Sequence, residues 1–192
     1  MAGISMNWII CFLLLIGIFV SVGLCRNENK KWYGVLIDQT NRVSLSRLQI
    51  VCWSILVLSA WTAVVLSLRS TDFSLTGELV ALMGISVGSA GGAVIVKQQR
   101  LSSGSLIVKT DYEPHFMDIF MNEGKNSDTY VGNGKVQMFY ITLAALVGYG
   151  YTLWRWQIPG ENIAFPALSE SLLYLIGISH GGYLTIKSVS DT

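Results

Sequence analysis

Five apolar runs, at 7–25, 48–68, 78–96, 136–154 and 168–187, divide the chain. Each approaches the roughly 20 residues that a helix needs to cross the hydrocarbon core of a bilayer. Membrane strands would instead alternate polar and apolar positions over about 10 residues. These runs are continuous, so helices are predicted. The pattern reads as an all-α membrane protein with five transmembrane helices. Its predicted organisation is an N-terminal anchor (1–25), a cytoplasmic segment (26–47), a helical hairpin (48–96), a second cytoplasmic segment (97–135), another hairpin (136–187) and a short tail (188–192).

The two hairpins resemble each other. Gly84-Ile85-Ser86-Val87-Gly88 returns as Gly177-Ile178-Ser179-His180-Gly181, and Leu75, Leu79 and Leu82 match Leu168, Leu172 and Leu175 at the same offset. Arg47-Leu48-Gln49 opens the first hairpin as Lys135-Val136-Gln137 opens the second. Both run in–out–in, so the repeats are parallel and a symmetry axis along the membrane normal is expected.

Composition supports the membrane reading. Hydrophobic residues make up 52% of the 192 and charged residues 13%, against about 25% charged in a soluble domain. The five spans sort the basic residues. Of the 13 Lys and Arg, only Arg69 and Arg155 fall on one side, and all others, from Arg26 to Lys187, fall on the opposite side. The positive-inside rule then places the N-terminus outside and the C-terminus in the cytoplasm. The first run lacks a basic n-region and a convincing small-residue cleavage site, so an uncleaved anchor is expected rather than a signal peptide. Cys11, Cys25 and Cys52 are expected as apolar thiols.

Between the spans, Trp32 to Asp38 reads as a short strand or an interfacial peptide, and Ser105 to Thr110 as a second strand able to pair with it. Pro114 to Met121 reads as an amphipathic turn with Phe116, Ile119 and Phe120 on one side. Asn122 to Gly134 reads as a polar loop. Ser44 or Ser46 is a candidate cap for the second span. Glu78 and Glu170 fall in helical first turns, where a carboxylate suits the dipole.

Chemistry is sparse. The Gly-x-x-x-Gly elements Gly84, Gly88 and Gly91, and Gly177 and Gly181, permit close helix packing, within one protomer or between protomers. Ser86 and Ser179 lie near the bilayer midplane, either bonded to their own helix or holding a polar guest. His180 stands where the first repeat has Val87, and an ionisable residue inside a span is a functional candidate. Gln49 and Gln137 suit interhelical amide bonds, and Arg47 and Lys135 would snorkel to the phosphate layer. Asp111, Glu113, His115 and Asp118 crowd one loop and read as a solvated acidic stretch rather than a metal site. No cofactor, zinc, phosphate-loop or nucleophile–base pattern appears.

The stretches Gly34-Val35-Leu36-Ile37-Asp38, Asn41-Arg42-Val43-Ser44-Leu45-Ser46-Arg47-Leu48-Gln49, Leu82-Met83-Gly84-Ile85-Ser86, Lys135-Val136-Gln137-Met138-Phe139 and Leu175-Ile176-Gly177-Ile178-Ser179-His180 resemble a recurring group of bacterial multi-span membrane proteins. The resemblance implies an inner-membrane location and transfers no activity. The expected function is a non-enzymatic scaffold or anchor that self-associates in the bilayer and binds a cytoplasmic protein, not nucleic acid. The alternative is an oligomeric channel or pore-forming effector lined by Ser86, Ser179 and His180.

Overall fold

The computed structural model describes residues 5–26, 31–104, 112–122, 130–156 and 163–189. The apolar runs form five long helices: α1 (Ser5–Arg26), α2 (Leu45–Leu68), α3 (Gly77–Ser102), α4 (Asn133–Arg155) and α5 (Glu170–Val189). Four of them, α1 to α4, are long and apolar enough to cross a membrane. α5 is not in that set, because Ser179, His180, Gly181, Gly182 and Thr185 dilute its apolar character. Ser44 takes the N-cap position of α2 and Thr76 that of α3, yet neither hydroxyl makes a cap bond. α2 stops where Arg69 turns left-handed (φ 53°) and its N–H bonds Val65 O at 2.8 Å.

α1 runs antiparallel to α2. Asn7 Nδ2 donates to Ser67 Oγ at 3.1 Å at one end. At the other, Gly23 lies so close to the loop that a Cβ would stand 2.6 Å from Trp32 O. The other four helices form a closed bundle in the order α2–α3–α5–α4. Gln49 bonds Thr142 and Leu56 lies beside Gly150, so α2 and α4 run parallel. Ile85 lies beside Gly177 and Leu184 beside Gly92, so α3 and α5 do too. All four pairs sit close to the constant offset of the sequence repeat. Matched helices are therefore immediate neighbours. A twofold along the bundle axis would instead set α2 beside α5 and α3 beside α4, so the expected axis is not the one these contacts describe.

The bundle exposes an apolar surface and buries several polar side chains within a largely apolar core. α3 exposes Val80, Val87, Val94 and Ile95 while burying Ser86, Ser89, Lys97 and Arg100. A water-soluble bundle does the reverse, and the inversion suits lipid as the surrounding solvent.

Both ends are closed by loop structure. At the end holding Arg69 and Arg155, Ser74 pairs with Ala164 through Ser74 N–H to Ile163 O and Phe165 N–H to Ser74 O, both 3.1 Å. Tyr149 donates its hydroxyl to Pro166 O at 3.0 Å. At the basic end, residues 31–44 and 112–122 interlock over Leu36, Val43, Leu45, Ile119, Met138 and Tyr183. There the expected strand at 32–38 is a single 3-10 turn, Gly34–Leu36, followed by an antiparallel bridge between Ile37 and Val43. Its proposed partner at 105–110 lies outside the described residues. The amphipathic turn is the 3-10 segment Phe116–Ile119. Ile119 is buried and Phe120 half-buried, but Phe116 faces outward, because the turn points its other end, Asp118 and Ile119, to the interior.

Candidate functional site: a buried polar seam

The inward face of α3 repeats every three or four residues: Leu79, Leu82, Ser86, Ser89, Ala93, Lys97 and Arg100. α5 turns Ile176, Ser179, His180, Tyr183 and Lys187 inward by the same spacing. Because the helices are parallel and in register, Ser86 and Ser179 sit at one level. Counting about 1.5 Å per residue from Glu78 and Glu170 places both about 12–14 Å along their helices.

Ser86, Ser89, Ser179 and His180 are buried, at 1%, 3%, 7% and 3% exposure. The three hydroxyls and both imidazole nitrogens of His180 have no hydrogen-bond partner. Each such group costs about 1–3 kcal/mol, and native interiors satisfy roughly 90% or more of their polar atoms. They lie on the inward faces of α3 and α5 and make a buried polar seam. Gln49 extends it from α2, donating from Nε2 to Thr142 Oγ1 at 2.5 Å, while its own Oε1 has no partner.

The structure separates residues that the repeat pairs. Val87 is exposed and His180 buried, although they match in sequence. Gln49 is buried and Gln137 exposed. Gln137 therefore lies away from the seam, because α4 turns Met138 inward instead. The glycines differ from packing positions within the protomer. Gly84, Gly88, Gly91 and Gly181 are exposed, with open space where a Cβ would stand, and only Gly177 touches a neighbour, Ile85. The small residue that does bring α3 against α5 is Gly92, whose added Cβ would meet Leu184 at 3.0 Å. Ser86, Ser179 and His180 face the interior of one bundle.

The seam leads to the basic end, where sequence reasoning missed the main residues. Lys97 is buried against Asp38 in an ion pair and bonds Thr40 Oγ1 at 3.3 Å. Lys135 and Arg47 do not snorkel outward. Lys135 is buried and donates to Met121 O at 2.6 Å, and Arg47 donates to Ile37 O at 2.8 Å. The available signal was helical spacing, since Lys97 follows Ser86 by 11 residues and Lys135 precedes Met138 by 3.

The acidic loop is solvated at Glu113 and His115, as expected, but Asp118 departs from that expectation and forms a buried joint. Asp118 is buried and accepts from Val43 N–H (3.3 Å), His115 N–H (3.0 Å) and Tyr112 hydroxyl (2.5 Å). Glu113 accepts from Lys31 at 2.8 Å, which lowers its pKa, and the same bond raises that of Lys31. Asp111 lies outside the described residues. Among the described residues, no three His, Cys, Asp or Glu side chains gather as a metal ion would require. Cys11, Cys25 and Cys52 are free thiols. Comparison of the chain with family models, curated proteins and solved structures finds no match.

Proposed function

We propose that the protein is a non-enzymatic module of a bacterial inner membrane that self-associates and anchors cytoplasmic partners. The outward face of α3 carries this reading. Gly84, Gly88 and Gly91 are exposed with open space at their Cβ positions. Lipid offers helices no hydrophobic gain on association, so close backbone approach between small residues must supply the attraction. In this reading all five helices span, the N-terminus lies outside, and the two hairpins derive from one repeat. The basic end then faces the cytoplasm, and its interlocked loops form the docking surface.

Gly84→Leu and Gly88→Leu test it. Either should dissociate the complex in mild detergent while helix content stays the same. Intact assembly in both would overturn the reading.

A second reading is favoured by the unpartnered polar atoms of the seam: a small ion or solute held inside one protomer between α3 and α5. It predicts flux from reconstituted vesicles, changed by His180→Ala. Vesicles that stay tight across a range of pH and voltage would rule against it.

A further inference from the structure

We infer that the bundle binds a small cluster of water molecules in a polar layer between its four packed helices, enclosed by apolar layers on both sides. This deepens the second reading above and rests on it only in placing the guest inside one protomer.

Packing sets the height of the layer. Leu45, Ala93, Met138 and Tyr183, one from each of α2, α3, α4 and α5, belong to one buried cluster near the basic end. One helical turn farther from that end, α2 turns Gln49 inward, α4 Thr142, α3 Ser89, and α5 Ser179 and His180. The bond from Gln49 to Thr142 spans the layer between α2 and α4. One turn beyond lie Ser86 and Trp53. Leu82, Ala145 and Ile176, all at 0% exposure, then continue the core with apolar side chains.

Unpartnered polar atoms collect in these two turns. Among the described residues, the buried side-chain atoms without a hydrogen bond are Ser46 Oγ, Thr76 Oγ1 and seven atoms of the layer. The seven are Gln49 Oε1, Trp53 Nε1, the hydroxyls of Ser86, Ser89 and Ser179, and both ring nitrogens of His180. None of these residues is more than 7% exposed. They come from three helices at neighbouring heights, yet none bonds another directly. A bridging water satisfies polar groups set apart in this way. Each buried water makes about three hydrogen bonds, so about two or three would serve all seven atoms.

The donor set selects water over an ion. The indole N–H of Trp53 can only donate, which disfavours a cation beside it. Gln49 Oε1 can only accept, which disfavours an anion. Serine hydroxyls do both, and a neutral imidazole has one nitrogen of each kind. The occupant must therefore donate and accept at once. No Asp, Glu, Lys or Arg occurs at 49–53, 82–89, 142–145 or 176–180, and an ion without a counter-charge is costly to hold in such an interior.

Water-edited NMR of the full chain in phosphatidylcholine nanodiscs supplies the test. Magnetisation from water should reach the indole N–H of Trp53 and the ring of His180. The lipid-facing methyls of Val87, at a similar height, should receive none. Replacing two of the hydroxyls, Ser86→Ala with Ser179→Ala, should diminish the transfer to both rings. No transfer to Trp53 or His180 in the parent protein would overturn the inference, and so would transfer that is undiminished in the double variant. The parent measurement decides even if the double variant fails to fold. The flux reading fails separately: transfer in tight vesicles would remove that reading alone, and flux without transfer would remove the water cluster alone.

Discussion

Gln49 on α2 donates to the Thr142 hydroxyl on α4 at 2.5 Å, joining the two hairpins through their matched first helices. Both residues are buried, at 2% and 5% exposure, with Met138 and Trp53 also buried on their helices. An amide-to-hydroxyl bond is worth more for register than for energy, since interhelical bonds in membranes average about 0.6 kcal/mol.

The pair can be measured by a double-mutant cycle of Gln49→Leu and Thr142→Val. Each single change should destabilise, and the coupling energy should fall near 0.5–1.5 kcal/mol. Additive effects in a reversible detergent unfolding assay would show the contact to be incidental.

Two glycines on α3 should behave oppositely. In the dissociated protomer Gly88 faces open space, so there Gly88→Ala gains up to about 1 kcal/mol of helix propensity. Gly92→Ala presses a methyl against Leu184 at 3.0 Å and should lose that gain or turn it into a net loss. Equal thermal shifts for the two would contradict the placement of the α3–α5 contact.

Trp8 donates its indole N–H to Ser59 Oγ at 2.9 Å in the buried contact of α1 with α2. Ser59→Ala leaves that donor without its partner and should cost about 1–3 kcal/mol. Tryptophan fluorescence should report loosening of α1 before the rest of the bundle. A variant as stable as the parent would refute the anchoring role.

Asp118 is the acceptor that ties residues 112–118 to Val43. Asp118→Asn puts an amide N–H₂ where one carboxylate oxygen now accepts, and should cost about 2–4 kcal/mol. Hydrogen exchange should rise first at Val43 and His115. Unchanged protection at both amides would count against the joint.

The Lys31–Glu113 pair carries a pH signature. The Lys31 bond lowers the Glu113 pKa, so its stabilisation is present above the ordinary carboxylate range and is lost as pH falls through the lowered value. Lys31, raised by the same bond, loses its share only as alkaline pH passes its raised value. Lys31→Met should return the Glu113 midpoint upward in an NMR titration. An unmoved midpoint would show that the pair does not form in solution. Because the Glu113 carboxylate is solvent-exposed, the stability effect should be small.

The helices were legible because their signal is local. Continuous apolar runs and a constant offset between hairpins need no knowledge of partners, and α3 and α5 do lie parallel near that offset. The candidate site was legible only in part. Ser86, Ser179 and His180 were found because polar residues stand out in apolar runs. Lys97 and Arg100 were read as loop charges and Lys187 as the end of the last span, because a basic residue at the edge of a span looks the same whether it reaches outward or inward.

The chain alone determined that lipid-length helices form, which residues are chemically unusual within them, and that most of the basic residues share one end. Those properties follow from composition and spacing along a single helix. Which face turns inward was decided by tertiary packing. Gly84 and Gly88 were freed to the surface while Gly92 took the close contact, and His180 was buried where its counterpart Val87 was exposed. A helix offers several faces of similar apolarity, and only the rotation that seats Leu79, Leu82, Ile176 and Tyr183 against their neighbours selects among them.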